Sequence, residues 1–71
     1  MDAQQRRETA IRAARAQLRS NGQPMTLENA ERVLDDMART QPQLVAAQWW
    51  QTASDNQIKL FRREWRQWVV N

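Results

Sequence analysis

The sequence predicts an all-α fold, a compact bundle of three or four short helices, on three observations. Gly occurs once and Pro twice in 71 residues, while Ala, Gln, Arg, Leu and Glu abound, which is the residue set that helices favour. Apolar residues recur at three- and four-residue spacing, and no stretch alternates as a half-buried strand would. Helix-breaking or capping residues cluster at a few places only, at Ser20 to Pro24, at Pro42 and at Ser54 to Asn56.

The first helix is expected over 3–20. Asp2 suits the N-cap, and Gln5 three residues on completes a capping box. Gly22 fits a left-handed residue past the helix end, and Pro24 prevents continuation. At about 100° per residue Arg7, Ala10, Ile11, Ala14 and Leu18 share one sector, with Arg12, Arg15 and Arg19 in a stripe beside it. With so few large apolar groups, this helix should be the least firmly held.

The second helix is expected over 27–40, with Thr26 as N-cap and Glu28 placed favourably at the positive end of the helix dipole. Leu27, Ala30, Val33, Leu34, Met37 and Ala38 form its apolar stripe, and Glu28, Glu31 and Asp35 an acidic one. Glu28 with Arg32 and Asp35 with Arg39 have the favourable i,i+4 orientation. Pro42 disfavours helical geometry at Gln41 and sets the end.

Pro42 then suits the first position of a third helix over 42–52. Val45, Ala46, Trp49, Trp50 and Ala53 cover a wide sector, while Leu44 and Ala47 point nearly opposite. A helix apolar over most of its circumference is central to a core or docked on a partner. Trp49 and Trp50 diverge by about 100°, so burying both requires wrapping the helix on two sides. One of them, or Leu44, is therefore the candidate exposed anchor, a type of residue that dominates binding hot spots.

A fourth helix over 55–69 has Ser54 as N-cap, Asp55 in its first turn and Gln57 as capping-box partner. The alternative is one continuous helix through 42–69. Ile58, Phe61, Trp65, Trp68 and Val69 fill one sector, and Lys59, Arg62, Arg63 and Arg66 the next. A surface that stacks bases would interleave rings and cations. Here they are segregated around the helix, so Trp65 and Trp68 are expected in the core with Phe61, Ile58, Leu34, Met37, Leu27 and Leu18.

Residues 1–71 are read as a single helical domain with a thin margin. A chain of this size buries only about 60% of the surface its unfolded form exposes. With no Cys and no His, disulfides and the usual zinc sites are excluded, and four Trp are the large apolar groups left to compensate. The thin core also admits a homo-oligomer. The net charge of +3 is uneven: residues 1–20 carry five Arg against two acids, 21–40 two against four, and 41–71 four cations against two.

Without His, Cys or Tyr the usual nucleophile–base pairs cannot be assembled, and one Gly cannot make a phosphate-cradling loop. Glu31 and Asp35 have the spacing for a hard cation, yet beside Arg32 and Arg39 they read as a solvated helix face. No catalysis, cofactor or metal is expected. The longest apolar stretch, Leu44 to Ala47, is far short of a membrane span. The segment from Ile58 to Val70 has the amphipathicity of an interfacial helix but is needed for the core. The N-terminus has no apolar signal core, and a cytoplasmic setting is expected. A helix-turn-helix is disfavoured because the second helix is acidic on its exposed face.

These residues point first to a small non-enzymatic interaction or regulatory module that binds a partner protein through Leu44, Trp49 and Trp50, flanked by arginines. The alternative is a nucleic-acid-binding protein using Arg12, Arg15 and Arg19 with Lys59, Arg62, Arg63 and Arg66. Pairing of either basic stripe with the acidic one on the second helix would instead cancel the field internally.

Overall fold

Three connectors of different chemistry divide the described residues into four helices: α1 (Ala3–Ser20), α2 (Leu27–Thr40), α3 (Val45–Thr52) and α4 (Asp55–Val70). The computed structural model describes residues 2–70, except for the side chains of Val69 and Val70, so the expected place of Val69 in the α4 apolar stripe lies outside the described residues. Among the described residues there is no strand, and the architecture is an all-α bundle. The radius of gyration, 11.0 Å, is the roughly 11 Å expected of a folded chain this long.

The capping box closes the start of α1: Gln5 N–H donates to Asp2 Oδ1 at 2.8 Å and Asp2 N–H to Gln5 Oε1 at 3.2 Å. Its end is a Schellman turn, in which Gln23 N–H donates to Leu18 O at 2.9 Å and Gly22 N–H to Arg19 O at 3.1 Å. Gly22 supplies the positive φ of 66° that this turn requires. Thr26 caps α2 by accepting from Asn29 N–H at 3.1 Å. Helix α2 ends at Thr40 and α4 begins after Ser54, whose Oγ accepts from Gln57 N–H at 3.3 Å. Residues 42–69 are therefore not one helix.

Pro42 does not open α3, as its suitability for a first helical position had indicated. Leu44 N–H donates to Gln41 O at 3.1 Å, closing a β-turn with Pro42 at its second position. The fixed φ of proline serves that turn as well as it serves a helix start. Helix α3 consequently begins three residues later, at Val45.

The core is built on small residues that let three helices approach closely: Ala10 and Ala14 of α1, Ala30 of α2, and Ala46 and Ala47 of α3 are all buried. Ala47 was expected to point outward. It is instead fully buried, and Val45 turns to solvent, because both tryptophans of α3 face inward and the helix is wrapped on two sides. Phe61 and Trp65 of α4 then close the core beside Ile11, Leu18 and Leu34. The ring centroids of Phe61 lie 5.7 Å from Trp49, 5.6 Å from Trp50 and 6.1 Å from Trp65, within the range of favourable aromatic pairs. The Trp65 indole N–H donates to Met25 O at 3.2 Å, satisfying its one polar group.

Three residues expected at the centre of the core lie at its edge. Leu27, Ile58 and Trp68 pack against it but are only partly buried. Leu27 and Ile58 stand near the starts of their helices, and Trp68 near the end of α4, where fewer helices surround them. No helix among the described residues is long and apolar enough to cross a membrane.

Candidate functional site

Helix α4 is held between two neighbours by opposite flanks, and this decides which charges remain open. Toward α1, Glu64 is gripped by Arg7: Nε donates to Oε1 at 2.6 Å and Nη2 to Oε2 at 3.0 Å. Arg7 Nη1 adds a bond to Gln57 Oε1 at 2.7 Å. That contact takes the Gln57 side chain away from the capping box expected for it. Toward α2, Arg62 Nε donates to Glu31 Oε2 at 3.0 Å. Arg62 of the α4 stripe is thus turned to α2, on the flank of α4 away from the Arg7–Glu64 contact with α1.

The acidic stripe of α2 is largely occupied by protein donors. Glu31 holds Arg62, and Asp35 Oδ1 accepts the Trp50 indole N–H at 2.7 Å. Because Asp35 is turned to Trp50, Arg39 pairs with Asp36 and not with Asp35 as its spacing favours. Glu28 pairs with Arg32 at 3.2 Å, as the spacing indicates. Among the described residues no group of three carboxylates is placed to hold a metal ion.

The α1 stripe has a different environment. Arg12 and Arg15 both lie over the half-buried Trp68 ring, their guanidinium carbons 5.7 and 5.3 Å from its centroid, within cation–π range. Arg12 has one long ion pair, 3.6 Å to Glu8, and its side chain is 62% exposed. Among the described residues no carboxylate lies within ion-pairing distance of Arg15 or Arg19. Arg15 Nε is buried without a hydrogen-bond partner, so its guanidinium is placed by the ring and by packing. Arg19 is exposed at the last turn of α1, where a cation complements the helix dipole. On α4, Lys59, Arg63 and Arg66 are likewise exposed and outside any ion pair of the described residues.

The apolar candidates separate. Trp49 is 5% exposed and belongs to the core, so it offers nothing to a partner without unpacking. Trp50 is half-buried, with its N–H committed to Asp35. Among the described residues, Leu44 at 38% and Val45 at 42% are the exposed large apolar ones. Beside them runs a shallow groove of about 410 Å³ lined by Arg6, Val45, Gln48, Trp49 and Thr52. A larger groove of about 700 Å³ between α1 and α2 is walled by Gln17, Gln23, Arg32, Met37 and Arg39. Its two arginines are already paired with Glu28 and Asp36.

Two features were missed from the sequence. Arg7 falls inside the apolar sector of α1, a signal that a buried cation needs an acid facing it, but nothing local identifies Glu64 as that acid. The meeting of Arg12 and Arg15 with Trp68 has no local signal, since it depends on α1 and α4 being neighbours. Comparisons with protein-family models, curated proteins and solved structures return no match.

Proposed function

We propose that the protein is a non-enzymatic binding module of the cytoplasm whose partner is nucleic acid, held by its phosphates along Arg12, Arg15 and Arg19. The observation that carries this reading is the uneven disposal of the acids. Glu31 and Asp35 of α2 answer Arg62 and Trp50, while on α1 Arg12 and Arg19 are exposed and Arg15 half-buried, with the long Glu8 contact of Arg12 as their one ion pair among the described residues. Cations left without acids raise the local potential and draw in a polyanion. Lys59, Arg63 and Arg66, exposed on α4, add to the positive field.

A second reading is supported by Leu44 and Val45, exposed beside the groove that also contains Arg6. It makes the protein an interaction module for a partner protein. Two exposed aliphatic side chains are a small anchor compared with the aromatic and arginine clusters of binding hot spots, and it therefore stands second.

Capture from lysate with and without nuclease separates the two. The nucleic-acid reading expects nuclease to release the bound material. It also expects Arg12→Ala/Arg15→Ala/Arg19→Ala to abolish capture while Leu44→Ser/Val45→Ser leaves it intact. The reverse pattern makes the partner a protein.

A further inference from the structure

We infer that the nucleic acid taken at this surface is single-stranded, and that a base stacks on the outer face of an arginine whose inner face is backed by Trp68. The inference rests on the nucleic-acid reading above and adds the strand form and the contact.

A guanidinium is planar and has two faces. The guanidinium carbons of Arg12 and Arg15 lie 5.7 and 5.3 Å from the centroid of the Trp68 ring. Arg12 keeps most of its side chain in solvent. Neither group is locked in a two-bond fork with a carboxylate, unlike Arg7 with Glu64. A planar cation held beside a ring and largely in solvent, as Arg12 is, is a platform for a flat π surface. Nucleobases stack on arginine planes as they do on aromatic rings.

A duplex cannot use such a platform, because its base faces are consumed in the helical stack and only edges and phosphates are offered. A single strand offers both, a base face for the Arg12–Trp68 layer and the next phosphate for Arg19, about one turn beyond Arg15 on α1. The other partly exposed tryptophan is unsuited to the task. Trp50 holds Asp35, whose carboxylate repels a phosphate backbone. The segregation of rings and cations seen along α4 alone is thus reversed across the α1–α4 boundary.

The test measures fluorescence anisotropy of a labelled oligothymidylate and of a duplex of equal length, with the full chain and with Arg12→Lys/Arg15→Lys. Lysine keeps the charge and loses the plane. The inference expects wild type to bind the single strand at least about tenfold more tightly than the duplex, the effect of roughly one base stack. It expects the lysine variant to lose about that factor on the single strand, with duplex affinity and the helical circular dichroism unchanged. Equal binding of both forms by wild type, or a lysine variant that binds the single strand as well as wild type, overturns the stacking inference and leaves phosphate binding standing. Binding of neither probe, or polyglutamate bound as tightly as the oligonucleotide, overturns both.

Discussion

Arg7 and Glu64 form a two-bond fork between α1 and α4, at 2.6 and 3.0 Å, with the arginine buried and the carboxylate side chain 24% exposed. The fork joins residues 57 positions apart, in the same α1–α4 contact in which Trp68 lies beside Arg12 and Arg15. Removing one partner of such a pair strands the other. A double-mutant cycle of Arg7→Ala and Glu64→Ala in urea unfolding is expected to give a coupling of about 1.5–3 kcal/mol. A coupling near zero would mean that the fork is solvated and does not hold the helices together.

The pH dependence of this clamp has a defined sign. Hydrogen bonding to Glu64 pushes the Arg7 pKa above the ordinary arginine value, with burial opposing it. A cation whose pKa rises on folding contributes stability below its unfolded value and loses it as pH rises through the folded one. The arginine side of the clamp therefore contributes throughout the acidic and neutral range and fails only in strong alkali. Wild type and Arg7→Met should accordingly differ in melting temperature by a similar amount at neutral and at mildly alkaline pH. A difference that shrinks over that interval would show that Arg7 titrates within it.

Trp65 is 2% exposed, stacks on Phe61 and donates to Met25 O. Trp65→Ala is expected to cost about 3–5 kcal/mol, the loss typical of a buried large aromatic. In a chain with so thin a margin, cooperative unfolding should disappear. A variant that melts within a few degrees of wild type would place this ring outside the core.

Gly22 has open space around its missing Cβ, so substitution there tests backbone conformation alone. Gly22→Ala should lower stability by about 1 kcal/mol, because a left-handed φ disfavours a Cβ, and Gly22→Asn by less. Thermal melts of the two variants compare them directly. Equal melting temperatures for alanine and wild type would mean that the Schellman turn is not retained in solution.

Most of the fold was legible because it rests on local signals. The caps at Asp2, Thr26 and Ser54 and the stop at Gly22 are short-range chemistry, and the inward sector of α1 is the set Arg7, Ala10, Ile11, Ala14 and Leu18 that the periodicity picks out. Pro42 was ambiguous because the same fixed φ serves two structures. The burial of Ala47 and Trp49, with Trp50 half-buried beside them, required knowing that α3 is enclosed on two sides. The candidate site was half legible. Its arginines follow from helical spacing, but Trp68 joins them only through the pairing of α1 with α4, a tertiary fact with no local signature.

The most direct test of the claim that the α1 flank binds the partner is the salt dependence of oligonucleotide affinity. For a single strand each neutralised phosphate contributes about −0.7 to the slope of log K against log salt, so three arginine contacts predict about −2. Arg12→Gln/Arg15→Gln/Arg19→Gln should bring the slope close to zero and abolish measurable binding, while Lys59→Gln/Arg63→Gln/Arg66→Gln should leave most of both in place. The account is contradicted if the α4 triple variant loses the slope and the binding while the α1 triple variant keeps them.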